Sequence, residues 1–198
     1  MKKIGLFFGS FNPITIAHLI IAERSLNYSE IEEVWFVISP QNPAKKHRKD
    51  IADEKHRLEM VRLATRHDHR LIPSDIEFYL PRPSYTNMTI RKLIENHPDK
   101  EFHIICGEDV FMKIPRWRNA KYVIDSCGFI AHRRKESNFA NFNPDKKMHE
   151  KTVYIKKFAA MNISSTLVRE NIKNNKPFHY AVPDLVCKYL KENNLYKI

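Results

Sequence analysis

The chain has 198 residues, 42% of them hydrophobic, with 34 Lys and Arg against 23 Asp and Glu and a formal net charge of +11. That length allows one domain with a substantial core, and no apolar run approaches the roughly 20 residues of a membrane helix. Cys106, Cys127 and Cys187 are odd in number and scattered, which suggests neither a disulfide framework nor a zinc site, and the excess positive charge points to anionic partners.

Met1-Lys2-Lys3 leads straight into a strand pattern without the cleavage pattern of a signal peptide, so a cytoplasmic protein is expected. Ile4 to Phe8 reads as that strand, and Gly9, Ser10, Asn12 and Pro13 make a tight loop after it. Pro13 disfavours a helical Asn12, so the next helix starts beyond it, with Thr15 as N-cap and His18 in the first turn. Val34-Trp35-Phe36-Val37-Ile38 is continuously apolar, the pattern of a strand buried on both faces. A proline-rich loop from Ser39 to Lys46 follows, and Asp53 caps a helix whose apolar face carries Leu58, Val61 and Ala64. Ile72 to Phe78 reads as extended, and Thr86 to Asn96 as a helix.

Phe102 to Cys106 is a further buried strand stopped by Gly107, and Val110 to Tyr122 is helical in pieces around Pro115. Cys127 to Ala131 and Val153-Tyr154-Ile155 are the remaining strands, while Lys135 to Lys151 reads as a mobile polar excursion. Ser164 to Ile172 and Pro183 to Asn193 are the closing helices, with Pro183 placed in a first turn. The alternation implies an α/β fold with a parallel sheet, one domain over residues 1–198 with a helical C-terminal part from 164 onward. Ligands of such sheets bind beyond the carboxyl ends of the strands, where the first loop lies.

That loop suits phosphate, because the first-turn amides and the positive end of the helix dipole face it. Thr15 and His18 share one helical face and can both donate to phosphate oxygens, and Gly9 allows close approach of a ligand to the backbone. Near the other end, in Ile163-Ser164-Ser165-Thr166-Leu167-Val168-Arg169, Ser164 can cap a helix while Ser165 and Thr166 offer hydroxyls beside unpaired amides. Arg169 lies on the face of Thr166 and carries a forked donor. Each residue alone reads as an ordinary cap or surface group.

Together they do more. Gly9-Ser10-Phe11-Asn12-Pro13-Ile14-Thr15-Ile16-Ala17-His18 resembles the nucleotidyltransferase signature in which G-x-F-x-P is followed by (H/T)-x-x-H. Ile163 to Arg169 resembles the I-S-S-T-x-(I/V)-R motif of the same superfamily, in the same chain order. Three further stretches are similar to bacterial nicotinate-nucleotide adenylyltransferases: the loop Pro40 to Lys45, the segment Pro83 to Thr89, and Gly107-Glu108-Asp109 with Ile114 to Trp117. Val182-Pro183 through Leu195-Tyr196 resembles the family ending, so the likeness spans nearly the whole chain.

The resemblance implies a Rossmann-like parallel sheet of the nucleotidyltransferase type. It implies transfer of AMP from ATP to nicotinate mononucleotide, giving nicotinate adenine dinucleotide and pyrophosphate, with Mg2+ arriving on the ATP. Gly9, Ser10, Phe11, Thr15, His18, Ser164, Ser165, Thr166 and Arg169 would hold ATP and its phosphates. His18, Arg169 and Lys45 would neutralise the transferring and leaving groups, without a catalytic base, because a phosphate nucleophile is already anionic. On the pyridine nucleotide, Thr86 would meet the carboxylate beside Tyr85, Trp117 would stack on the ring, and Asp109 would bind ribose hydroxyls.

Thr15 and Met88 depart from the bacterial pattern, which favours His and Asp at those places. Thr15 looks more like eukaryotic nicotinamide-mononucleotide adenylyltransferases and pantetheine-phosphate adenylyltransferases, which makes those activities the nearest alternatives. A basic nucleic-acid-binding protein on the same fold ranks last, since no recognised nucleic-acid-binding motif is present. The sequence leaves a homo-oligomer open.

Overall fold

A computed structural model describes residues 1–40, 50–132, 146–155 and 162–197. Among these, β1 (Lys2–Gly9), β2 (Glu33–Ile38), β3 (Leu71–Ser74), β4 (Lys100–Gly107), β5 (Gly128–His132) and β6 (Thr152–Ile155) form one sheet. Every pairing is parallel, in the order β3-β2-β1-β4-β5-β6. The helices are α1 (Ile16–Tyr28), α2 (Glu54–Thr65), α3 (Thr86–Asn96), α4 (Glu108–Phe111), α5 (Ala120–Ser126), α6 (Lys146–Glu150), α7 (Ser165–Lys173) and α8 (Asp184–Glu192).

Side chains alternate across the strands, so the continuous apolar runs feed two cores at once. Phe7, Phe36, Ile105, Ile130 and Ile155 face one side, where Ala22 of α1, Val61 of α2, Val168 of α7 and Leu190 of α8 cover them. Leu6, Val37, Ile104 and Phe129 face the other, beneath Ile90 and Leu93 of α3, Phe111 of α4, Val123 of α5 and Met148 of α6. The two C-terminal helices therefore close the first core. The three cysteines are free and buried.

The chain runs outward from β1 to β2 and β3, then returns to β4 on the other side of β1. That reversal opens a crevice at the carboxyl ends of β1 and β4, where parallel α/β sheets take their ligands.

Three elements differ from the sequence reading. The extended stretch begun at Ile72 ends at Ser74, and Ile76–Tyr79 is a 3-10 turn. The turn brings Glu77 inward, where its buried carboxylate accepts a bond from the Thr89 hydroxyl at 2.8 Å. Pro183 is the N-cap of α8, not part of its first turn. Of the polar excursion Lys135 to Lys151, residues 135–145 lie outside the described chain, but α6 is packed, with Met148 fully buried.

Gly128 opens β5 directly beside His103 of β4, where an added Cβ would lie 2.2 Å from the ring nitrogen Nδ1. Gly128→Ala forces that imidazole off its contact with Glu101 and is expected to cost about 1–3 kcal/mol, the usual range for overpacking. Denaturant unfolding would read this as a lower midpoint with unchanged slope.

Candidate active site

A cavity of about 400 Å³ lies at the carboxyl ends of β1 and β4. Its walls include Gly9, Ser10, Phe11, Asn12 and His18 from the first loop and helix, and Ser164, Ser165, Thr166 and Arg169 from the start of α7. The structure thus brings together two motifs that are some 150 residues apart in the chain, and Ser165 Oγ joins them directly by donating to the Pro13 carbonyl at 2.8 Å.

Thr15 is the N-cap of α1 and is fully buried. Its backbone N–H donates to Nδ1 of His18 at 3.0 Å, and its hydroxyl lies 2.8 Å from the same nitrogen. A nitrogen that accepts an N–H carries no proton, so the Thr15 hydroxyl donates as well, and neutral His18 holds its proton on Nε2. Thr15 was expected to meet phosphate; in the structure its hydroxyl lies against His18, and it is not among the residues lining the cavity. Gly9 lines the cavity and also meets a packing constraint. A Cβ there would fall 2.8 Å from the ring of Phe11, which turns back over it with a φ of 43°. The absent side chain thus leaves room for the Phe11 ring as well as for close approach to the backbone.

Arg169 is 7% exposed, and much of its fork is already engaged. Nε and Nη2 contact Asp50 Oδ2 at 2.8 Å each, and Nη1 donates to the Asn12 carbonyl at 2.8 Å. The guanidinium lines the cavity and also holds the loop through these bonds. Ser164 caps α7 by accepting from Leu167 N, and the amides of Ser165 and Thr166 are first-turn groups without intrahelical acceptors.

Behind the cavity lies a polar network that sequence reading missed. Asn12 donates from Nδ2 to the Asp50 carbonyl at 2.8 Å, while its Oδ1 accepts from Ala52 N and from the Tyr196 hydroxyl at 2.6 Å. Arg57 of α2 is 1% exposed and donates to the carbonyls of Ser10, Ser39, Pro40 and Ala52 at 2.7–3.2 Å. Burial lowers its pKa from the ordinary guanidinium value. Arg57 was legible in principle, since a cation four residues before Val61 sits on the buried stripe of its helix. Nothing in spacing points to Tyr196.

The lining also includes Asp109, Trp117 and His132, the last of them against α1. Asp109 lies in the first turn of α4, and Trp117 follows the 3-10 turn Ile114–Arg116. Tyr85 and Thr86 do not line the cavity. Tyr85 is the N-cap of α3 and reaches the Trp117 segment through the Arg118 guanidinium, 4.7 Å from its ring centroid. Lys45 lies outside the described residues. Among the described residues, no three His, Cys, Asp or Glu side chains gather as a metal site, and no helix is long and apolar enough to cross a membrane.

His132 is buried at the end of β5, with Nε2 2.8 Å from Ser25 Oγ. Ser25 donates to the Ile21 carbonyl, so it accepts from His132, which keeps a proton on Nε2. Burial, helped by the charge of Arg24, pushes the His132 pKa down to about 4. As pH falls from 6.5 toward 4, the unfolded chain takes up a proton that the folded imidazole refuses, so stability drops across that window. The loss attributable to this residue is on the order of 3 kcal/mol at most. His132→Gln is expected to flatten this part of the stability–pH curve, measured by denaturant unfolding.

A family model described as cytidylyltransferase-like matches residues 6–171. The probable nicotinate-nucleotide adenylyltransferase of Flavobacterium johnsoniae is 38% identical over 195 residues, covering 98% of this chain and 99% of that one. The protein of the same name from Bacteroides thetaiotaomicron is 36% identical, covering 96% and 91%. The solved structure of Plasmodium falciparum nicotinic acid mononucleotide adenylyltransferase complexed with NaAD superposes with a TM-score of 0.75 at 23% identity, over 99% of this chain and 98% of that one, a likeness of fold. With both motifs on one cavity and relatives matched over their full length, the chain belongs to the cytidylyltransferase-like family and, within it, to the nicotinate-nucleotide adenylyltransferases.

Proposed function

We propose that this protein transfers AMP from ATP to nicotinate mononucleotide, forming nicotinate adenine dinucleotide and pyrophosphate in NAD biosynthesis. The observation that carries the reading is the single cavity walled by both phosphate motifs, with His18 and Arg169 on it. An oxygen of the acceptor phosphate attacks the α-phosphorus of ATP, and the bond from that phosphorus to the bridging oxygen breaks. The electron pair leaves with pyrophosphate. No proton needs to be removed from the nucleophile, so the protein aligns the groups and offsets developing charge.

His18 acts as a donor in this scheme, because its Nδ1 is occupied by Thr15 and its proton is on Nε2. Arg169 and the first-turn amides of α7 supply further positive character from the other wall. Magnesium enters as part of the ATP substrate. Trp117 and Asp109 mark the acceptor side, with Tyr85 joined to it through Arg118 and Thr86 next to Tyr85 in the chain. Buried Thr15 orients His18 and stands away from any acceptor, so its presence does not favour nicotinamide mononucleotide or phosphopantetheine.

Pyrophosphate release from ATP and magnesium, with each of the three acceptors offered separately, is expected to be fastest with nicotinate mononucleotide. Preference for another acceptor would overturn the pyridine-site assignment, and no release with any would overturn the enzyme reading. His18→Ala is expected to lower kcat by about 10²–10³, the usual loss for a donor to a developing negative charge. Thr15→Val, which keeps the backbone donor but removes the hydroxyl, should lose less. Equal turnover in wild type and the folded His18 variant would contradict the role given to the imidazole.

A further inference from the structure

The reaction as described leaves Arg57, the most deeply buried cation among the described residues, without a part. Arg57 is 1% exposed, and among the described residues it pairs with no carboxylate; its Nη1 donates to the carbonyls of Ser10 at 2.8 Å and Ser39 at 2.7 Å. Nε reaches the carbonyl of Ala52 and Nη2 that of Pro40. These carbonyls belong to the loop after β1, the loop after β2 and the entry to α2. An apolar side chain could fill the same volume. Only a guanidinium can set the direction of carbonyls from the β1 loop and from both ends of the β2–α2 connection at once.

Direction matters because a trans peptide is planar, with its N–H opposed to its C=O. A Ser10 carbonyl drawn toward Arg57 turns the N–H of Phe11 the other way. The Gly9 carbonyl accepts from Ser39 N at 2.9 Å, which turns the Ser10 N–H away from β2 in the same manner. Phe11 has a φ of 43°, a left-handed turn of the kind that curls successive amides around an anion. Ser10 and Phe11 both line the cavity.

We infer that Arg57 is a positioning residue of the reaction, which holds the Ser10–Phe11 peptide so that its N–H donates to the phosphates of ATP. The inference rests on the functional reading above for the place of those phosphates. Arg57 touches no substrate. It acts through the backbone it bonds, and Lys cannot replace it, because one ammonium cannot reach the β1 loop and both ends of the β2–α2 connection.

The test uses the full-length protein with Arg57→Lys and Arg57→Ala. Circular dichroism and thermal unfolding first establish the folded fraction of each. Calorimetry then measures binding of magnesium pyrophosphate and, separately, of adenosine. In folded Arg57→Lys, pyrophosphate affinity is expected to fall roughly tenfold or more while adenosine affinity stays near wild type. Turnover should fall on the order of 100-fold with little change in KM for the acceptor. Millimolar guanidinium should restore part of the turnover of Arg57→Ala. Wild-type pyrophosphate affinity and turnover in a folded variant would overturn the proposal, as would loss of both ligands in proportion to the unfolded fraction. A wild-type protein that binds no pyrophosphate would instead overturn the functional reading beneath it.

Discussion

The buried guanidinium of Arg57 is the constraint on which the mouth of the sheet depends. A parallel α/β sheet brings its loops together at one end but does not orient them, since each loop leaves a different strand. Here the loops after β1 and β2 and the start of α2 are bonded to one side chain. Removing a charge from water is costly, and carbonyl acceptors offset that cost only when several converge. Once in place, such a bonded charge is rigid. The neighbouring network of Asn12, Asp50, Arg169 and Tyr196 extends the same order to α7 and to the last residues of the chain.

The charge distribution follows from this framework. Arg57 and Arg169 are both nearly excluded from solvent, and Asp50 is the carboxylate that faces Arg169. Asp109 stands on the cavity wall as a further carboxylate, and the surrounding protein screens these charges less than water would. The two histidines on the cavity walls work differently. Each is oriented by a hydroxyl, Thr15 for His18 and Ser25 for His132, and each carries its proton on Nε2 when neutral. Positive charge comes from guanidinium groups, while the N–H of His132 is given to Ser25.

The side of the cavity assigned to the acceptor is built from two separate elements. Arg118 stacks over Tyr85, and Arg91 over Tyr122, so α3 and the segment from 117 to 122 exchange one cation–π contact in each direction. Buried Glu77, bonded to Thr89, anchors the first turns of α3 from below. Trp117 reaches the cavity, while Tyr85 lies against Arg118.

Periodicity and punctuation in the sequence determined the element types. The apolar runs of β1, β2, β4 and β5, the caps at Thr15, Asp53 and Ser164, and the bounds of α3 are all local facts, because strand burial and helix capping depend on neighbours a few residues away. The ordered pair of motifs around His18 and Arg169 determined the family. Tertiary structure decided which polar atoms are engaged. Thr15 turned to His18, Ser165 to Pro13 and Arg169 to Asp50 and Asn12, because those partners lie on other segments or on the far side of a turn. It alone revealed Arg57, Asn12 and Tyr196 as one framework, since a hydrogen bond across 47 or 184 residues leaves no trace in spacing. Composition states how many donors a chain has; only the fold determines where each one points.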